Sequence, residues 1–441
     1  QQYRTNNTNN TIRMCKPDAE SPKKVAVIGG GVSGLSAAWH LSENSTADVV
    51  VFEAEDRLGG HAYTVPVPLK ADGDGYDGKG DSNGKSANVD VDVDIGFMVY
   101  NEANYPNMTK WFEALETVEA EDTDMSLSVS LDKGQTLEWS SDGINGLFAK
   151  RGQLIDTKFH GMVQDMTRFH AEAPKLLLLP EEDPRKHITT QQYLRQNGYT
   201  PEFGVYYLLP MMAALWSASM EDVLQFPAAQ LIGFLCNHKM LQLFGRPQWK
   251  TVKGRSQTYT KRVQEILGEK QIRLSTPIGS MKQTSGIGVG VEKKYELFDT
   301  SNTSVGFFDE VVFACHTDTA AAILKPSASS IDTNDNDSLL AHIELVDLLG
   351  QIEYADNVIY LHSDPKLMPQ RKRAWASWNC LGDSRKIEAA FGSRSGSGGS
   401  DNDDNKNKNK HSGAFEGAES GFGNTKSKVE NELQQQQQQQ Q

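Results

Sequence analysis

The sequence predicts an α/β fold, on three observations. A β-branched apolar run, KKVAVIGGG at 23–31, is stopped by glycines and passes into SGLSAAWHL, 33–41, whose apolar residues recur at helical spacing. A second apolar run at 48–53 completes a β–turn–α–β unit of about thirty residues, the opening of a doubly wound sheet. From about 101 to 240 the pattern is largely helical, and runs of strand character return after it. The expectation is a Rossmann-like domain, discontinuous in the chain, with a mostly helical domain inserted in it.

Taken in order, residues 1–22 are polar, rich in Asn and Thr, and expected to be disordered. Residues 23–100 form the first part of the nucleotide domain. Within it, KADGDGYDGKGDSNGKSAN at 70–88 reads as a solvated insertion between strands. Its Asp repeats lack the twelfth-position Glu and flanking helices of a calcium loop. Strict alternation over Asn88–Phe97 marks a half-buried strand. The inserted domain, 101–249, carries strand-like pieces at Ser126–Leu131 and Leu137–Ser140 and an apolar run, Val205–Trp216, interrupted by Pro210. That run is too short to cross a bilayer and reads as a buried helix. Residues 250–382 supply the second part of the nucleotide domain and strands of the inserted one. Strands are expected at Gln271–Ser280, Gly286–Phe298, Phe307–Ala314, Tyr354–His362 and Ala374–Asn379, with a helix starting at Thr317–Leu324. From 383 to 441 the chain is Ser, Gly, Asn and Lys and ends in eight glutamines, so a disordered tail is expected.

Composition removes several classes of function. Lys and Arg total 44 against 58 Asp and Glu, a net charge of −14, which argues against nucleic acid as a partner. Cys15, Cys236, Cys315 and Cys380 are scattered and form no C-x-x-C pair, so neither a disulfide framework nor a metal site is expected. A reducing, cytoplasmic setting is the default. The N-terminus lacks Met and a signal-peptide core, which leaves a lost segment targeting a plastid or other organelle open.

Gly29, Gly31 and Gly34 form G-x-G-x-x-G between the first strand and its helix. The first glycine permits the tight turn, the second lets backbone approach a pyrophosphate, and the third lets helix and sheet pack closely. Glu53 ends the second strand 24 positions after Gly29, where a carboxylate accepts both ribose hydroxyls of an adenosine and repels a 2′-phosphate. A ligand-free glycine turn is the alternative. NAD and FAD share these features. Arg57, Gly59 and Gly60, in DRLGGH just beyond the acid, favour FAD, whose longer stem suits a close backbone turn with a nearby cation.

These motifs resemble the flavin-containing amine oxidase and phytoene desaturase superfamily. DIGFMVYNEANYPNM (94–108), MSLSVSLDKGQTLEWSS (125–141), NHKMLQLFGRPQWKTVKGRSQTY (237–259) and LHSDPKLMPQRKRAWASWN (361–379) narrow the resemblance. They are similar to the FAD-dependent oxidoreductase module at the N-terminus of plant-type cyclopropane fatty acid synthases and its free-standing bacterial relatives. The resemblance implies that Ile278, after Pro277, lies by the adenine, that Ala314 ends a strand near the dinucleotide, and that Asp94–Phe97 runs beside the flavin. Ordinary core strands would use the same residue types at all three places. It implies hydride transfer at flavin N5 on an apolar, fatty-acyl-type substrate, and a fatty-acid methyltransferase as partner; peripheral contact with a membrane rests instead on the basic cluster at 366–373. An amine or amino-acid oxidase, and a non-catalytic module serving the methyltransferase, are the alternatives.

Two departures stand out. Asn357 falls where amine oxidases of the superfamily often carry a Lys near N5, which speaks against amine chemistry. Nothing after Cys380 resembles the family's glycine-rich strand-to-helix segment that caps the flavin, so the expectation is a chain that looks truncated.

No catalytic residue declares itself. His61, His238, His316 and His362 have no metal-ligand spacing and read as structural or surface histidines. No G-x-S-x-G elbow is present. Tyr206, Tyr207, Trp216 and Trp249 suit either an acyl tunnel or, more commonly, a helical core. Lys366, Arg371, Lys372 and Arg373 suit an anionic headgroup or, more commonly, a solvated turn.

Overall fold

Successive residues of 25–28 and 49–52 point to opposite faces of one sheet, and both faces are covered, which is why neither run carries a polar side chain. The computed structural model describes residues 22–69, 89–242, 245–284, 294–325 and 336–392, all within one compact unit. The expectations for 1–21, for the insertion 70–88, for the first part of the strand at 286–298 and for 393–441 lie outside the described residues.

Along the chain the strands are β1 (Lys24–Ile28), β2 (Asp48–Phe52), β3 (Thr64–Leu69), β4 (Val89–Asp94), β5 (Ala120–Thr123), β6 (Leu127–Leu131), β7 (Leu137–Ser140), β8 (Trp249–Val252), β9 (Ile272–Arg273), β10 (Ile278–Thr284), β11 (Lys294–Asp299), β12 (Ser304–Phe308), β13 (Glu310–Phe313) and β14 (Trp378–Gly382). A parallel sheet in the order β13-β1-β2-β9 has β1 and β2 joined by helix Val32–Asn44. On one face Val27, Val49 and Val51 share a core with Leu35 and Ala38 of that helix and with Tyr259 and Val263 of helix Gln257–Leu267. On the other, Ala26, Ile28, Val50 and Phe52 share a core with the antiparallel β10-β11-β12 sheet and with helix Thr317–Leu324. Each valine, leucine, isoleucine or phenylalanine so buried contributes about 2 kcal/mol.

A third core gathers helices Thr157–Glu172, Thr190–Gln196, Leu209–Trp216 and Ala228–Asn237 against β6 and β7. Pro210 does not end the apolar helix there. Residues Gly204–Leu208 form a π turn directly ahead of Leu209–Trp216. A proline donates no N–H to the carbonyl four residues earlier. That carbonyl, on Tyr206, instead accepts the indole N–H of Trp139 at 3.0 Å.

The structure corrects five expectations, one of them the single strand over Phe307–Ala314, which is divided between β12 and β13 in two different sheets. Residues Tyr354–His362 form no strand: Val358, Ile359 and Tyr360 are 75, 63 and 80 % exposed, and no ladder among the described residues includes them. Strand propensity marks side chains that suit a ladder and does not supply the partner. The strand expected at Ala374–Asn379 is displaced to β14, parallel to β6, after a 3₁₀ turn at Lys372–Ala374. The single strand expected over Gln271–Ser280 is divided into β9 and β10 by a turn with Ser275 at φ +49°. Finally, order continues past 383 as helix Ser384–Gly392, where Ile387 is buried and Ser384 donates to the Asp132 carboxylate from both its amide and its hydroxyl. Helix Asn336–Gly350 has no counterpart in the sequence reading. Among the described residues no helix is long and apolar enough to cross a membrane.

Candidate functional site

The carboxyl ends of β1, β2 and β13 meet at one rim, the edge at which open α/β sheets bind ligands. Gly29 turns there at φ +108°, and a Cβ on it would lie 2.7 Å from the carbonyl oxygen of Ala314, at the end of β13. A Cβ on Gly34 would lie 1.8 Å from the Gly29 carbonyl oxygen, so helix Val32–Asn44 rests directly on the turn. Gly31, the residue capping that helix, has no atom within 4 Å of where its Cβ would stand.

Glu53 reaches across to this loop. Its Oε2 accepts the Gly30 amide at 2.6 Å and its Oε1 accepts the Glu55 amide at 2.9 Å. The middle glycine is therefore part of the site, although the fingerprint treats its position as free. A Cβ on Gly30 would meet Glu53 Oε2 at 2.8 Å and Leu58 at 2.7 Å. The main chain of Glu53 bonds Arg273 and Thr276, which explains the turn between β9 and β10. Ile278 follows that turn, but its own side chain is buried in the core under β10.

Gly59 and Gly60, at φ +113° and +56°, fold the next turn onto the glycine loop. The Gly59 amide donates to the Gly30 carbonyl at 2.9 Å, and a Cβ on Gly60 would lie 3.2 Å from the Gly31 Cα. Arg57 holds this turn: it donates to the Gly60 carbonyl at 3.1 Å, pairs with Glu55 at 2.8 Å and covers the Tyr63 ring at 3.7 Å. Beyond it, Gly96 passes so close to His61 that a Cβ would lie 2.0 Å from the His61 carbonyl oxygen. The His61 ring lies 5.7 Å from His316, which stacks on Tyr354 at 4.5 Å. Burial pushes the Cys315 thiol up, so it is neutral beside Ala314.

These residues fit an adenine dinucleotide. Gly31 leaves open space where any side chain would intrude, no side chain caps the helix behind it, and the Glu53 carboxylate keeps lone pairs beyond the two amides it accepts.

Asp94 is buried and accepts the Ser256 amide, the Ser256 hydroxyl at 2.7 Å and the Thr64 hydroxyl at 2.6 Å, pinning β3 and β4 to helix Gln257–Leu267. A cavity of about 300 Å³ opens beside it, walled by Val91, Val93, Met98, Val99, Trp378 and Arg255. None of the four aromatic residues considered for a tunnel lines it. Tyr206 and Tyr207 are buried in the helical core, Trp216 packs on Phe226 and Phe234, and Trp249 lies parallel to His238 at 6.5 Å. Asn357 lies in the exposed segment 354–362. His238 bonds the Phe234 carbonyl, and His362 accepts the Asp364 amide. In the basic cluster Arg371 pairs with the buried Glu138 at 2.8 Å and Lys372 lies over the Trp375 ring at 6.0 Å.

Comparison with known proteins gives the family. Tryptophan 2-monooxygenase of Pantoea agglomerans pv. gypsophilae is 48 % identical over 48 residues, which are 11 % of this chain and 8 % of that protein. Amine oxidase [flavin-containing] A of Canis lupus familiaris is 63 % identical over 41 residues, 9 % of this chain and 8 % of the relative. The chain thus matches under a tenth of the length of these curated relatives. The structure of cyclohexylamine oxidase from Brevibacterium oxydans IH-35A is similar at a TM-score of 0.48 and 16 % identity, covering 73 % of this chain and 63 % of that one. A fatty acid isomerase from P. acnes that produces CLA gives 0.44 and 13 %, over 72 % and 63 %. The sequence model described as flavin containing amine oxidoreductase matches residues 32–341, and with most of its length so matched the chain belongs to that family, whose cofactor is FAD.

Proposed function

We propose that this chain is an FAD-dependent oxidoreductase acting on an apolar, fatty-acyl-type substrate, with flavin N5 supplying the hydride acceptor or donor when FAD is bound. Its own residues would hold the cofactor and the substrate. Gly29–Gly31 and the amides behind them would cradle the pyrophosphate, Glu53 would accept the ribose hydroxyls, and the turn at Gly59–Gly60 would meet the stem. The observation that carries the substrate reading is the cavity beside Asp94. Val91, Val93, Met98, Val99 and Trp378 give it an apolar wall, and no lysine is among the described residues that line it.

The test is anaerobic titration of the purified, FAD-loaded chain with acyl substrates and with primary amines, following the absorbance of oxidised flavin. Bleaching by acyl substrates alone supports the reading. Bleaching by amines, and none by acyl chains, sinks it. The amine reading has the family's description in its favour, together with Asp92 and Asp124 on the cavity wall. A module that only serves a fatty-acid methyltransferase would co-purify with that enzyme and bleach with neither.

A further inference from the structure

Arg255 sits at φ +71° directly after Gly254 at +77°, in the turn from β8 into helix Gln257–Leu267. A side chain in the left-handed region is strained, and such strain persists only where surrounding bonds over-determine it. They do so here. The Arg255 amide donates to Val252 at 2.9 Å, its carbonyl accepts Thr258 at 3.1 Å, and the next residue, Ser256, is fastened to Asp94.

The side chain is aimed as firmly as the backbone. Its Nε donates to the Asp92 carbonyl at 3.0 Å, its only side-chain hydrogen bond among the described residues. That bond fixes the guanidinium against β4, on the wall of the cavity, and leaves both Nη groups without an acceptor among the described residues. The apolar part of the wall offers these groups no acceptor. Three carboxylates share the cavity and all are otherwise placed. Asp94 is filled by Ser256 and Thr64, Asp92 Oδ2 accepts the Gln257 side chain at 2.6 Å, and Asp124 is exposed to solvent.

A planar fork of N–H donors in a mainly apolar cavity matches one chemistry well, a carboxylate bound through two oxygens. We infer that Arg255 anchors the carboxylate of a free aliphatic acid, whose chain lies along Val91, Val93, Met98, Val99 and Trp378. This rests on the acyl reading above and narrows it from acyl chains in general to unesterified acids. At about 300 Å³ the cavity is at the small end of ligand sites, so it takes a short chain or the carboxyl end of a longer one.

The test is binding of dodecanoate, methyl dodecanoate and dodecylamine to the full chain by calorimetry, with Arg255→Met and Arg255→Gly as variants. Dodecanoate should bind more tightly than its ester, and both substitutions should weaken it by about tenfold or more while leaving the ester unchanged. Arg255→Gly removes the strain with the charge, so its melting temperature should not fall, and lost binding is then not lost folding. Equal binding of acid and ester by the unmodified chain overturns the anchor and leaves the acyl reading standing. Binding of neither overturns both. Tightest binding of dodecylamine shows that the cavity selects a cation and overturns the anchor.

Discussion

The Oε2 of Glu53 accepts the Gly30 amide at 2.6 Å, so the acid that ends β2 also holds the glycine turn that ends β1. Its other oxygen holds the Glu55 amide at 2.9 Å. Both partners are donors, and a glutamine offers one acceptor and one donor in the same volume. Glu53→Gln should therefore turn an NH₂ against a backbone N–H, at a cost of about 1–3 kcal/mol. The expected result is a lower melting temperature together with weaker retention of FAD, read by fluorescence of the released flavin. Unchanged stability and unchanged flavin content would remove Glu53 from the site.

Gly31 and Gly34 separate binding from folding. A Cβ on Gly34 would stand 1.8 Å from the Gly29 carbonyl oxygen, backbone that cannot give way cheaply. Gly34→Ala should displace the helix, costing about 1–3 kcal/mol or more, and lose the cofactor with it. Gly31 has a φ of −71° that any residue can adopt, and nothing lies within 4 Å of its added Cβ. Gly31→Ala should leave stability within about 1 kcal/mol and still lose FAD, because the methyl occupies space meant for the pyrophosphate. Equal flavin retention by wild type and Gly31→Ala would mean that the open space serves another purpose.

These glycines were legible because their chemistry is local: one strand, one turn and one helix carry all three. Gly96 was not singled out, since its need arises from a carbonyl on His61, brought beside it by the pairing of β3 with β4. Arg57 was legible as a cation near the turn, but what holds it, Glu55 and Tyr63, is tertiary in kind. Arg255 lies in the segment 237–259 that carries the resemblance but was not singled out there, and its significance rests on a positive φ and a cavity that only the fold creates. The failed strand at Tyr354–His362 shows the opposite limit, where a run of β-branched and aromatic residues had the right propensity and no neighbour to pair with among the described residues. Helix Ser384–Gly392 was hidden by the Ser- and Gly-rich composition that follows, though Ile387 anchors it in the core.

Glu138 and Arg371 form a clamp with unequal halves. Glu138 has no exposed surface and accepts four donors: the Ser130 hydroxyl, the Gln370 and Arg371 amides, and the Arg371 guanidinium at 2.8 Å. The Arg371 side chain is 31 % exposed. Glu138→Ala leaves all four donors short and should cost about 3–5 kcal/mol. Arg371→Met leaves the carboxylate three neutral donors and should cost about 1–3 kcal/mol. Denaturant melts of both variants and of the double mutant would give the order. An Arg371→Met that is more destabilising than Glu138→Ala would contradict this division of labour. The clamp holds the turn that leads into β14, so Glu138→Ala should also disturb the cavity wall at Trp378.

His170 gives the helical part a pH dependence with a definite sign. Burial, with a smaller contribution from the nearby Arg246 charge, lowers its pKa from 6.5 to about 4. One ring nitrogen meets the Tyr207 hydroxyl at 2.8 Å, and the other is buried with no partner among the described residues, so a second ring proton has nowhere to bond. Between pH 6.5 and 4 the unfolded chain accepts a proton that the folded chain refuses. Stability from this residue is therefore complete above 6.5, falls as pH drops toward 4, and changes no further below that. Asp165 does not confuse the window. Burial works to raise its pKa, the bonds from Thr200 and Arg168 outweigh that effect, and its loss sets in only below its ordinary 3.8. His170→Gln keeps an acceptor for Tyr207 and cannot titrate. Melting temperatures measured from pH 7 downward should fall more steeply for the natural chain than for this variant across the His170 window and run parallel above it; parallel curves throughout would show that His170 is protonated in the folded state.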